Sequence, residues 1–245
     1  MKALVTGASS GLGRDMACYL DSLGIDLILV ARRKERLEEL KSKLKGNVVI
    51  ETFDLSKIDN VNKLYDKYKD DDIDILVNNA GFGMFGDFVE TDLNRELEMI
   101  DLNVIAPHIL TKLFLKKFKK KDAGYILNVC SSAGFLPGPH LATYYATKNY
   151  ILKLTMAIYE ELRREKSNVH ISALCPGPVD TEFNKVAKGK FRTNGVSSSY
   201  VSRYAIDKMF RRKLIIVPTF KMKLFLFLSR FVPYKFLLKI IDGFQ

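Results

Sequence analysis

Thr6-Gly7-Ala8-Ser9-Ser10-Gly11-Leu12-Gly13 follows directly on the short apolar run Lys2-Ala3-Leu4-Val5 and opens a helical segment, about Leu12 to Leu23. Three glycines at a strand-to-helix turn let the main chain approach a ligand closely, and the first amides of the helix point at it. Such a turn binds pyrophosphate. The spacing Gly-x-x-x-Gly-x-Gly lacks the Gly-Lys-Ser/Thr ending of a P-loop. A plain glycine turn is the bland alternative. A strand before and a helix after favour a nucleotide held by Gly7, Ser9, Ser10, Gly11, Leu12 and Gly13.

Outward from this turn the alternation repeats. Asp26-Leu27-Ile28-Leu29-Val30 is apolar on both faces, as a central parallel strand is. A helix at about Lys34–Lys43, a strand at Val48–Thr52, a helix at about Lys57–Lys69 and a strand at Ile73–Val77 follow. Units of this length predict an α/β fold: a Rossmann-type, doubly wound parallel sheet with right-handed crossovers and helices on both faces. After the second strand, where an acid would hold the ribose 2′-hydroxyl of NAD, the chain has Ala31-Arg32-Arg33. Two guanidinium groups suit a 2′-phosphate, so the expected cofactor is NADP(H), with NAD(H) the poorer fit. Either arginine also reads as a helix-start surface charge, Arg33 more readily than Arg32. Asp54, followed by Leu55, stands where an acid could accept a hydrogen bond from the adenine amino group.

Nothing divides the 245 residues: no linker, low-complexity tract or repeat is present, and 47% are apolar, so the chain reads as one domain, 1–245. Cys18, Cys130 and Cys175 are widely spaced in apolar segments and read as reduced and buried, which fits a cytoplasmic setting. Neither they nor His108, His140 and His170 have metal-ligand spacing, so no metal is expected. A strand starting at Lys2 leaves no room for a targeting peptide, and no apolar run approaches the roughly 18 residues of a membrane span.

Ser131-Ser132-Ala133-Gly134 and Tyr144-Tyr145-Ala146-Thr147-Lys148 carry the candidate chemistry. Tyr144 and Lys148 share one helix face, about 6 Å apart along the axis. A lysine ammonium there would stabilise tyrosinate and lower the phenol pKa from about 10, making a usable proton donor. Ser131, at the end of the apolar strand Tyr125–Cys130, could reach the same reacting oxygen. Such a pair alone is common on solvated helix faces.

Thr6-Gly7-x-x-x-Gly11-x-Gly13, Asp54, Asn78-Asn79-Ala80-Gly81, Asn103, Ser131, Tyr144-x-x-x-Lys148 and Pro176-Gly177 resemble, in order and spacing, the short-chain dehydrogenase/reductase family, from about residue 2 to 183. The resemblance implies catalytic roles for Asn103, Ser131, Tyr144 and Lys148. It places Asn79, Ala80 and Gly81 along the cofactor and gives Asn78 the fixing of the central strand. It also has Tyr144 and Lys148 touch the cofactor, lays Pro176 and Gly177 along the nicotinamide, and puts Val179 and Thr181 at its carboxamide. Asn103, in a helix of about Glu96–Lys117, would bend that helix and hold a proton-relay water. Relatives pair through the helices carrying Asn103 and Tyr144, which implies a homo-oligomer. Ser131 is preferred to Ser132 for its separation from Tyr144, and Tyr145 lacks a lysine four residues on.

Phe82-Gly83-Met84-Phe85-Gly86-Asp87-Phe88 suggests an apolar wall to a substrate pocket, or packing beneath the next helix. Residues 182–197, with Phe183, Val186 and Phe191, read as a substrate loop. The formal charge of +11 concentrates at residues 211–245, where eight basic side chains face one acid, Asp242. From about 219 to 245, apolar and basic residues mix at helical spacing, broken at Pro233. This amphipathic extension reads as a core-packing or subunit-contact element. The competing reading is a peripheral contact with an anionic membrane, or a cover over a lipid-like substrate. Basic residues interleaved with bulky apolar ones do not suit nucleic acid. The expected activity is NADP(H)-dependent interconversion of a carbonyl and a secondary alcohol on an apolar substrate. A non-catalytic NADP(H)-binding or membrane-surface regulatory protein is the alternative.

Overall fold

Along the central strands, alternate side chains enter two different cores. Ala3, Val5, Leu27, Leu29, Ile75 and Val77 pack to one side of the sheet, and Leu4, Ile28, Val30 and Leu76 to the other. A period of two with both phases apolar makes a sheet covered on both faces. The computed structural model describes residues 1–183, 187 and 195–243. Its strands are β1 (Lys2–Thr6), β2 (Asp26–Ala31), β3 (Val48–Thr52), β4 (Ile75–Asn78), β5 (Gly124–Val129), β6 (Val169–Leu174), β7 (Val179–Asp180), β8 (Val196–Ser197) and β9 (Ile215–Ile216). Seven form one parallel sheet in the order β3-β2-β1-β4-β5-β6-β9, while β7 and β8 pair separately.

The helices are α1 (Gly11–Ser22), α2 (Lys34–Lys41), α3 (Ile58–Tyr68), α4 (Leu93–Ile100), α5 (Ala106–Lys121), α6 (Ala142–Arg164), α7 (Ser198–Phe210), α8 (Phe220–Leu228) and α9 (Tyr234–Asp242). Helices α1, α2 and α7 cover one face through Met16, Leu20, Leu37, Val201 and Met209. Helices α3 to α6 cover the other, where α5 buries Phe114 and Phe118 completely. Truncating either phenylalanine to alanine would cost about 3–5 kcal/mol. A third cluster, with Leu136, Leu152, Cys175, Leu226 and Leu237, seats α8 and α9 against α6 and the end of β6.

Where one helix was expected over Glu96–Lys117, the structure has α4, a π-helical segment Asp101–Ile105, and α5. Asp92 starts α4 by accepting a hydrogen bond from the Arg95 amide at 2.8 Å. Pro107, four residues after Asn103, has no N–H to give the Asn103 carbonyl, so regular α winding fails there. Helix α5 ends on Lys119, Lys120 and Lys121, cations at the negative end of its dipole, with Asp122 in a left-handed conformation. Cys18 corrects an expectation: it lies exposed on α1, whereas Cys130 and Cys175 are buried.

Candidate active site

Strand order reverses between β1 and β4, and loops leaving the carboxyl ends of the strands there diverge into a crevice. A cleft of about 600 Å³ opens at this point. Of the site residues expected from sequence, all except Gly13 and Asn103 line it.

The glycine turn forms one end. Gly7 has φ +66°, and a β-carbon on it would stand 2.8 Å from the Ala80 Cα; on Gly13 it would stand 2.4 Å from the Gly7 carbonyl oxygen. Neither position admits a side chain without displacing backbone, so Gly13 acts beneath the turn. Thr6 ties the turn to the end of β4: its Oγ1 accepts from the amides of Asn79 (2.9 Å) and Ala80 (3.1 Å). The Asn79 side chain donates to the carbonyls of Thr6 (3.0 Å) and Gly7 (3.2 Å).

The two arginines part company. Both line the cleft, but Arg32 pairs with Glu98 at 3.1 Å. Arg33, the more doubtful by sequence, donates to the hydroxyls of Ser9 (3.1 Å) and Ser10 (2.9 Å) in the glycine turn. A guanidinium and two hydroxyls thus converge beside bare main chain, a set of donors suited to phosphate. Glu182 meets the same guanidinium at 3.4 Å and Arg36 at 2.7 Å, and Arg36 foremost holds its carboxyl below the usual range. Asp54 lines the cleft while one oxygen accepts from the Ser56 amide (3.1 Å) and hydroxyl (2.8 Å).

At the other end stand Ser131, Tyr144 and Lys148. Ser131 begins a short 3₁₀ turn, Ser132–Phe135, and its hydroxyl accepts from the Ala133 amide at 3.1 Å. Lys148 is buried and donates to the Val129 carbonyl at 2.9 Å, with its ammonium 5.8 Å from the centre of the Tyr144 ring. Asn103 lies behind them. Its amide donates to the Phe82 carbonyl (2.8 Å) and Thr147 hydroxyl (3.2 Å), and its Oδ1 accepts from the Phe82 amide (3.1 Å). Thr147 in turn donates to the Tyr144 carbonyl at 2.7 Å. Asn103 thus fixes the start of α6 against the loop after β4.

The expectation that Lys148 lowers the Tyr144 pKa is corrected. Burial dominates and pushes the phenol above its ordinary value, opposed by hydrogen bonding from Ser131. Burial also lowers Lys148, opposed by the neighbouring Cys130 and Cys175. An apolar surround disfavours tyrosinate and ammonium alike.

The aromatic loop bears out the pocket-wall reading at Phe82 and not at Phe85 or Phe88. Phe82 lines the cleft, Phe85 stacks on His140 at 5.5 Å, and Phe88 is exposed. Phe183 lies 5.2 Å from the Tyr144 ring, while Val186 and Phe191 fall outside the described residues. Met222, Phe225 and Ile241 also stand on the cleft wall, in line with the competing reading of the C-terminal extension as a cover over the substrate, which named no residues for it. The i, i+3 pair in the C-terminal extension was the available signal.

The family model of the short chain dehydrogenase matches residues 1–190. An oxidoreductase of Staphylococcus saprophyticus is 32% identical over 85% of this chain and 86% of its own length. The human very-long-chain 3-oxoacyl-CoA reductase is 31% identical over 76% of this chain and 62% of its own length. Among solved structures, a short-chain dehydrogenase from Sphingobium yanoikuyae in complex with NADPH superposes with a TM-score of 0.85. It is 30% identical, and the match covers 89% of this chain and 88% of that one.

Proposed function

The chain belongs to the short-chain dehydrogenase/reductase family, and from that premise we propose that it interconverts a carbonyl and a secondary alcohol on an apolar substrate, using NADP(H). One observation carries the reading: Ser131, Tyr144 and Lys148 stand at one end of a cleft whose other end is the glycine turn with Arg33, Ser9 and Ser10. The NADPH-bound relative supports a nucleotide in this groove.

When bound, the cofactor supplies or accepts the hydride. The chain's residues manage the oxygen and its proton. The Ser131 hydroxyl holds the carbonyl oxygen, and Tyr144 gives it a proton as negative charge develops. Because burial raises its pKa, Tyr144 stays protonated near neutrality, the state a reduction needs. Lys148, anchored on the Val129 carbonyl, presents its remaining protons toward the tyrosine and the cofactor ribose. Asn103 positions this group, and a proton-relay water on its main-chain carbonyl suits the donor that Pro107 withholds. Phe82, Leu136, Leu141, Phe183, Met222 and Phe225 line the cleft and favour an apolar substrate. The human relative, by its name, reduces a long-chain acyl compound.

We place the protein in the cytoplasm, as a homo-oligomer paired through α4–α5 and α6. Among the described residues, no helix is long and apolar enough to cross a membrane.

The test is NADPH oxidation over a panel of ketones and aldehydes, with Tyr144→Phe beside it. The variant should lose about 10²–10⁴ in kcat while still binding NADPH. Substantial turnover by the variant on a good substrate overturns the role given to Tyr144. Equal or better use of NADH overturns the cofactor preference.

A further inference from the structure

The last two helices carry more apolar surface than they bury. Helix α8 reads Phe-Lys-Met-Lys-Leu-Phe-Leu-Phe-Leu, apolar nearly all round, a pattern that normally means burial on every side. Here one side alone is covered. Met222, Phe225 and Leu226 of α8, with Leu237 and Ile241 of α9, turn inward to the third core cluster. Phe220, Phe227, Leu228, Phe231, Tyr234 and Phe236 face outward, between 52% and 77% exposed.

The same outer surface is cationic. Lys221, Arg230, Lys235 and Lys239 are exposed, as is Lys223, whose ammonium meets the Tyr204 hydroxyl at 3.3 Å; among the described residues none of the five forms an ion pair. The one acid, Asp242, is engaged internally: it meets His140 Nε2 at 3.1 Å, while His140 Nδ1 meets Asp87 at 2.6 Å. That chain of contacts ties α9 to the loop after β4. A second copy of the chain is a poor occupant, because a twofold contact would set these five cations against themselves. Aromatic rings interleaved with exposed lysines fit the interface of an anionic bilayer, where rings reach the acyl boundary and ammonium groups meet phosphates.

We propose that the outer face of α8 and α9 docks on an anionic lipid bilayer. Met222, Phe225 and Ile241 form cleft wall on the inner side of these helices, so docking sets that wall beside the membrane. The substrate class then depends on the reductase reading above: a long-chain carbonyl or alcohol partitioned in the bilayer.

Flotation of the full-length protein with phosphatidylcholine–phosphatidylglycerol vesicles, and with pure phosphatidylcholine, tests the docking. Two exposed double variants accompany it, Arg230→Glu with Lys235→Glu and Phe231→Ser with Tyr234→Ser. The wild type should float with the anionic vesicles, less so at raised salt, and each double variant should bind about tenfold or more weakly. Turnover of a short soluble ketone should be unchanged, while turnover of a long-chain ketone carried in the vesicles falls with binding. Failure of the wild type to float, or variants that float equally well, overturns the docking. So does sedimentation showing that the same substitutions dissolve an oligomer without altering flotation. Flotation as expected with no ketone turned over supports the docking and removes the reductase reading, and the substrate class with it.

Discussion

Arg33 touches two hydroxyls of the glycine turn, whereas Arg32, one residue earlier, is spent on Glu98. Both arginines line the cleft, but it is Arg33 that is hydrogen-bonded to the glycine turn. Arg33→Ala should therefore weaken NADPH binding by about tenfold or more, from lost charge-assisted hydrogen bonds, and leave NADH nearly untouched. Arg32→Ala should do much less, and fluorescence titration with both nucleotides measures each. The Tyr144–Lys148 spacing was legible in sequence because one helix carries both residues. Which arginine joins the glycine turn was not, because Glu98 and Ser10 are remote in sequence from both. Nor was the partner of Lys148, since the Val129 carbonyl belongs to β5.

Although α7 and the short pair β7 and β8 were not foreseen, strands and helices were legible over the first three quarters, since continuous apolar runs alternated with helical patterning. Their ends moved by a residue or two, as hydrogen-bonded boundaries do. A bend at Asn103 was expected from the resemblance, but the π winding that makes it was not, because it depends on Pro107 together with Phe82 gripping the asparagine from another loop. Strand β6 yields a pH dependence. Its His170 is buried and pushed down from 6.5 to about 4 by that burial. As pH falls from 6.5 to about 4, the unfolded chain takes up a proton that the folded chain refuses. Stability should drop by about 3 kcal/mol across that window and change little from this source outside it. Urea midpoints for the wild type and His170→Leu should show a shallower slope in the variant.

Across the whole molecule, the cleft joins parts that lie far apart in the chain, from Gly7 to Ile241. A ligand spanning it should stabilise the fold as a unit. At about a hundredfold excess over its Kd, NADPH adds about 2.7 kcal/mol, a rise in melting temperature of about 5–10 °C for a chain of this size. NADH at equal concentration should give a smaller rise by scanning fluorimetry. The first three quarters of the sequence foretold their share of this cleft. The C-terminal cover was one of two competing readings, and its inward residues were hidden, because interleaved apolar and basic residues do not say which side packs inward until β9 and α6 supply a surface. The π turn between Asp101 and Ile105 makes chain length itself a constraint on this assembly. It stores one residue more than an α-helix of the same rise. Deleting Asn103 would remove the extra residue and leave α4 and α5 near their present register, while Phe82 would lose its hydrogen bonds to the asparagine. The extra residue thus lets one helical run do two things at once, holding the loop after β4 through Asn103 and keeping Phe114 and Phe118 in the core.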